Sequence, residues 1–195
     1  RVDNIITGDI IDTKNEWEKR REWLDKIPSF VNPDDLEEAR KNDSITIALV
    51  RPKRLVKLGI EKESNPDWTE EQKKKLIKSQ MQGDLFAEDA DAKRDLHTLR
   101  KLPYNFYYYY ICDTPKGEKE FKHKIVDWEA GALFWNCYKS KDGWEDKFRQ
   151  KYETEFSKKD LMFIMGNIHR FEHQWLIIGV VYPPKQTQPV QESLF

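Results

Sequence analysis

Apolar positions along the chain alternate between a spacing of two and a spacing of three to four, and the switches outline a set of elements. The run Ile5–Ile11 predicts a strand. Thr13 stands three residues before Glu16, the pattern of a capping box, and opens a helix over KNEWEKRREWLDKI whose apolar stripe is Trp17, Trp23, Leu24 and Ile27. Asn32 followed by Pro33 starts a second helix that runs to about Lys41, since proline suits the first helical position. Ser44–Val50 is rich in β-branched residues, and Arg54–Lys62 is predicted as its neighbouring strand across a turn at Arg51–Pro52.

Thr69 caps a charged helix, EEQKKKLIKSQM, and a polar, mixed-charge stretch follows over 87–101 as a connection. The strand LPYNFYYYYICD, the turn TPKGEKE and the return FKHKIVD predict a hairpin. Asp127 caps a helix over WEAGALFWNCY, a further helix runs from Trp144 to about Ser157, and two strands, DLMFIMGNIHRF and HQWLIIGVVYPP, meet at a turn near Glu172. Strands, then helices, then strands without regular alternation predict an α+β fold, with a mainly antiparallel sheet and helices packed on it. The expected organisation is a segment 1–86, the connection 87–101, a segment 102–182 packed with the first as one domain, and a flexible tail 183–195. The chain enters mid-pattern at Arg1, which suggests that a preceding piece is missing.

Composition narrows the function classes. Thirty-four Lys and Arg face thirty-five Asp and Glu for a net charge of −1, so any basic footprint must be local. A hydrophobic fraction of 38% that includes seven Trp argues for a folded core. Cys112 and Cys137 are expected as reduced thiols, and runs such as Trp175–Tyr182 are too short to cross a bilayer. With no opening signal peptide, a cytoplasmic protein without a membrane partner is expected.

Two constellations carry candidate chemistry. Along the aromatic strand, Phe106, Tyr108 and Tyr110 share one sheet face and Tyr107, Tyr109 and Ile111 the other. With Arg51, Lys53, Arg54 and Lys57 nearby, Tyr107 and Tyr109 would offer stacking surface beside phosphate-binding charge, a design suited to single-stranded nucleic acid. The competing expectation is an aromatic strand buried on both faces. Separately, His123, Asp127 and Glu129 at a strand-to-helix junction, with His169 in the last hairpin, are the residue types of a metal-dependent hydrolase, whose cofactor would be a divalent metal. The spacing matches no zinc motif, and Asp127 also reads as a helix cap.

Two resemblances add to this. The pentapeptide QESLF, Gln191–Phe195, echoed by QGDLF, Gln82–Phe86, resembles the sliding-clamp-binding motif of bacterial polymerases and repair proteins. That resemblance implies that Leu194 and Phe195 fill an apolar pocket on the clamp, or on another protein partner, while Gln191 bonds at its rim. The second half, most specifically DWEAGALFWNC, resembles an uncharacterised prokaryotic family that implies no activity. The leading functional expectation is a nucleic-acid-associated accessory protein tethered to replication, repair or mobile-element machinery. The alternatives are a metal-dependent hydrolase or nuclease acting on nucleic acid, and a protein-interaction domain without catalysis.

Overall fold

The computed structural model describes residues 8–75, 100–139, 142–168 and 170–185. Its elements in chain order are α1 (Lys14–Leu24), β1 (Ser29–Phe30), α2 (Pro33–Asp43), β2 (Ile47–Val50), β3 (Arg54–Lys62), β4 (Tyr104–Thr114), β5 (Gly117–Ile125), α3 (Trp128–Tyr138), α4 (Trp144–Arg149), β6 (Met162–Ile168) and β7 (Phe171–Val181). The fold is α+β, with one seven-stranded sheet ordered β1-β2-β6-β7-β5-β4-β3. The chain divides into two compact units, Arg1–Gly59 with Phe106–Phe195, and Ile60–Asn105.

The sheet is mixed rather than mainly antiparallel. β2–β6, β6–β7 and β4–β5 run antiparallel, whereas β1–β2 and β5–β7 run parallel. A helical crossover explains one of the parallel pairs, because it returns the chain to the end of the sheet where it started. α2 makes that connection between β1 and β2, whereas β5 leads through α3 and α4 into β6, which runs opposite to it, and the β6–β7 hairpin then sets β7 parallel to β5. The β5–β7 seam is short, a single pair at Ile125 and Ile177 with Val126 N–H donating to the Ile177 carbonyl at 2.8 Å.

β2 and β3 are not neighbours, contrary to the sequence expectation. They stand five strand spacings apart in the order, roughly 24 Å if the sheet were flat. Yet only Arg51–Lys53 separates them, a reach of about 14 Å at most from Val50 to Arg54. The sheet must therefore curl. Ring contacts across the interior agree, since Phe163 on β6 meets Tyr108 and Tyr110 on β4 at centroid distances of 5.3 and 4.9 Å. The link stitches the curl, with Arg51 N–H donating to the Phe30 carbonyl at 3.3 Å and Lys53 N–H to the Ile111 carbonyl at 2.8 Å.

Inside the curl lie Ala48, Val50, Phe106, Tyr108, Tyr110, Phe163 and Met165, all buried. The buried Tyr108 hydroxyl donates to the Tyr152 carbonyl at 2.5 Å. Phe148 and Tyr152 stack at 4.9 Å, Tyr152 meets Phe156 at 4.8 Å, Phe156 stacks on Tyr182 at 4.0 Å and Tyr182 meets Trp17 at 5.5 Å. This ladder follows a helix that is not uniform, as the sequence pattern had implied. α4 ends at Arg149, Gln150–Glu155 winds as a π-helix and Phe156–Lys158 as a 3-10 turn. A wider turn leaves carbonyls off the α-helical ladder, and the Tyr152 carbonyl takes its partner from the sheet.

On the outer face of β2, β6 and β7, Trp17 and Leu24 of α1 and Ile27 just after it pack against Leu49, Met162 and Val181, while Trp23 of the expected stripe is 56% exposed. The expected capping box at Thr13 does not form. Thr13 makes no capping bond, Asp12 accepts from Lys14 N–H at 3.1 Å, and Asn15, Glu16 and Trp17 take left-handed backbone angles. That left-handed entry brings the Trp17 ring to Tyr182. Gly8–Ile11, the described part of the expected first strand, is irregular rather than a strand, and Ile10 is 94% exposed.

Other caps form as expected. Asn32 accepts from Asp35 N–H at 2.9 Å, with Pro33 opening α2. In the smaller unit Thr69 and Gln72 form a reciprocal box at 3.0 and 3.2 Å, and Asn105 donates to Glu63 at 3.0 Å. The polar connection at 87–99 lies outside the described residues.

Phe163 is the ring on which the two sides of the curl meet. Phe163→Ala should destabilise the protein by about 3–5 kcal/mol, read as a lowered urea midpoint at unchanged slope; a loss under 1 kcal/mol would mean that the interior does not depend on that contact.

Candidate nucleic-acid interface

Strand alternation places Tyr107 and Tyr109 on the outer face of β4, where both are half-buried. Across the β4–β5 ladder Tyr107 pairs with Lys124 and Tyr109 with Lys122, so two tyrosine–lysine pairs stand side by side. Lys122 Nζ lies 4.3 Å from the Tyr107 ring centre and 5.2 Å from that of Tyr109, and Lys57 Nζ of β3 lies 4.7 Å from the Tyr109 ring. Gly59 leaves room for Tyr109. A Cβ there would come within 2.8 Å of the Tyr109 ring edge, so any other residue would push the ring off β3. The result is two aromatic faces carrying three lysines on one side of the sheet. Lys57 and Lys124 meet no carboxylate among the described residues.

The other three expected phosphate contacts sit elsewhere. Arg51 and Lys53 belong to the link and Arg54 opens β3. Arg51 lies 3.6 Å from Asp160, Lys53 bonds Asp113 at 2.9 Å and Glu118 at 3.0 Å, and Arg54 lies 3.5 Å from Glu118. The Asp113 and Glu118 hydrogen bonds push the Lys53 amine above its ordinary range. Exposed pairs of this kind contribute little to stability, about 0–1 kcal/mol each, but they hold the cations in place. Beside them opens a cavity of about 490 Å³ lined by Arg51, Lys53, Arg54, Lys159, Lys185 and Asp160.

The hydrolase candidates do not share one arrangement. Asp127 uses one carboxylate oxygen to accept from Glu129 N–H at 2.8 Å, capping α3, and the other to accept from Val180 N–H at 2.8 Å. Glu129 is exposed on the first turn of α3. His123 points into the interior, its Nδ1 at 2.9 Å from the Tyr110 hydroxyl, and burial pushes its pKa down to about 4. His169 lies outside the described residues. Among the described residues no group of three or more His, Cys, Asp or Glu side chains is placed to hold a metal ion. Cys112 is buried, with its thiol pushed up to about 11 by desolvation, and neither it nor Cys137 forms a disulfide. Gln191, Leu194, Phe195 and the copy at Gln82–Phe86 also lie outside the described residues.

The family model described as a domain of unknown function, DUF8757, matches residues 30–195. The chain belongs to the DUF8757 family. The match begins within β1, so α1 precedes the family domain while the tyrosine–lysine face and the basic cavity lie inside it. No curated protein and no solved structure matches the chain. Among the described residues of this DUF8757 member no helix is long and apolar enough to cross a membrane.

Lys122 and Lys124 were not among the residues that sequence reasoning singled out. Their signal is nonetheless local, because in FKHKI the lysines alternate with Phe121, His123 and Ile125, which face inward. Lys159 and Lys185 carry no such signal, since only the folded chain brings them to the Arg51–Arg54 link.

His123, largely buried, should make this domain acid-sensitive in a defined window. Its folded pKa lies below the ordinary 6.5, so the unfolded state binds more protons as pH falls from about 6.5 towards 4, and stability falls with it. Urea titrations should show a loss of roughly 2 kcal/mol between pH 7 and 5, and His123→Gln, which keeps an acceptor for Tyr110, should flatten that slope. Glu37, held at about 2 by its hydrogen bond from Arg40, acts only at lower pH. An unchanged slope in the variant would assign the acid sensitivity to other groups.

Proposed function

We propose that this domain binds single-stranded nucleic acid across Tyr107 and Tyr109, and that the pentapeptide Gln191–Phe195 tethers it to a sliding clamp or a comparable partner in replication, repair or mobile-element machinery. The observation that carries the reading is the pair of half-buried tyrosines flanked by Lys57, Lys122 and Lys124 on one sheet face. Tyrosine presents a flat surface on which any base can stack, and lysines beside it meet the phosphates of the same strand.

Magnitudes favour the exchange this requires. A lysine resting over an exposed ring contributes about 0.5–1 kcal/mol, whereas a base stacked on an aromatic side chain contributes about 1–3 kcal/mol. A strand arriving at the face replaces the first with the second, and the displaced ammonium gains a phosphate. Affinity then depends on salt, because each phosphate contact releases a counterion. A near-neutral protein with a local basic face binds strands through that face and is not a general polyanion sponge. The tether follows from the QESLF pattern alone, in which two apolar side chains and a glutamine supply a small, exchangeable anchor.

Fluorescence anisotropy with an internally labelled single-stranded oligonucleotide should show binding that weakens with salt and falls roughly 5- to 100-fold for each of Tyr107→Ala and Tyr109→Ala. Lys57→Ala should weaken binding evenly across sequences and lower the salt slope by about 1. Absence of binding at low salt would remove the strand-binding half of the proposal.

A purified bacterial sliding clamp should be retained by the full chain and lost from a Leu194→Ala/Phe195→Ala variant of unchanged melting temperature. Equal retention by both chains, or by neither, would remove the tether.

A further inference from the structure

The basic cavity at the Arg51–Arg54 link has no role in stacking, and its chemistry points to a distinct part of the ligand. Resting on the strand-binding reading above, we infer that it receives the terminal phosphate of a phosphorylated strand end. Five cations, Arg51, Lys53, Arg54, Lys159 and Lys185, line it together with the single carboxylate of Asp160. Asp113 and Glu118 hold Lys53 and Arg54 from outside the lining, and Asp160 is shared by Arg51 and Arg21, so cations remain in excess. That excess sits on Lys159 and Lys185, neither of which meets a carboxylate among the described residues.

The cavity is organised before any anion arrives. Asp160 holds Arg21 at 2.9 Å and Arg51 at 3.6 Å, and its own N–H donates to the Pro183 carbonyl at 3.0 Å, which ties together the segments that carry Lys159 and Lys185. Arg54 is held by Glu118. Binding therefore orders two lysines instead of five long side chains, which lowers its entropic cost.

Shape and charge choose an end over an internal phosphate. The volume of about 490 Å³ suits one small polar ligand. A phosphodiester crossing a surface carries one negative charge and stays flush with it. A terminal monoester projects from the strand, carries about −1.5 to −2 charges and offers three acceptor oxygens. Only the latter uses a recessed group of forked donors and ammonium ions well. Position agrees with this. Leu55 lines the cavity, and Lys57 and Gly59 follow it at alternate positions of β3, beside Tyr109. On one strand face alternate residues are about 6.6 Å apart, so a strand whose end is seated in the cavity runs along β3 directly onto the tyrosines.

The test compares three internally labelled oligonucleotides of one sequence, bearing a 5′-phosphate, a 3′-phosphate or neither, against the full chain. One phosphorylated form should bind about tenfold tighter than the unphosphorylated one, and its identity assigns the polarity of the bound strand. Lys159→Ala/Lys185→Ala should abolish the preference while leaving the unphosphorylated affinity within about twofold, whereas Tyr107→Ala/Tyr109→Ala should lower all three together. Three equal affinities for the native chain overturn the end-recognition inference and leave strand binding intact. If no oligonucleotide binds, the strand reading fails by itself, and calorimetric titration with inorganic pyrophosphate decides the cavity. Heat that disappears in the lysine double variant retains it as a polyphosphate site, and no heat with either chain removes it.

Discussion

A three-residue link between β2 and β3 governs this structure. Two strands five places apart in the sheet order cannot be joined by Arg51–Lys53 unless the sheet bends round to meet itself. Bending gives the sheet an inside and an outside with different tasks. The inside is closed off by Phe163 reaching Tyr108 and Tyr110, and by an aromatic ladder that continues through Phe148, Tyr152 and Phe156 to Tyr182. The outside is free to be polar, and on β3, β4 and β5 it carries lysine beside tyrosine.

The same link gathers charge. Arg51, Lys53 and Arg54 fall at the point where the curl is stitched, which is also where the chain emerges after Phe156–Lys158 and after β7. A molecule whose net charge is −1 thereby gains a local basic recess beside an aromatic face. Carboxylates at Asp113, Glu118 and Asp160 do not cancel the recess but orient three of its cations.

Much of the local structure was legible in the sequence because it depends on neighbours. The β4–β5 hairpin follows from its turn and from strict alternation, which also separates Tyr108 and Tyr110 from Tyr107 and Tyr109. The caps at Asn32, Thr69 and Asp127 follow from short side chains that can reach a nearby N–H. Pairing order was not legible, since β2 meets β6 through residues more than a hundred positions apart. Thr13 failed as a cap because Asp12 supplied the acceptor and Trp17 was drawn to Tyr182. The π-helix carries no local signature, because it serves contacts between Tyr152 and the distant Tyr108. For the candidate site the same division holds. Lys57, Tyr107 and Tyr109 are readable from strand alternation, while Lys159 and Lys185 reach the recess only through tertiary structure.

The meeting of β5 and β7 through one residue pair has a mechanical consequence. On one side lie β1, β2, β6 and β7, on the other β5, β4 and β3; at the seam itself they meet through Ile125, Val126 and the Asp127 side chain gripping Val180, and across the curl through the Arg51–Lys53 link and Phe163. Breaking that seam costs one ladder pair, so an opening along it would expose the amides on its two sides as separate groups in hydrogen exchange.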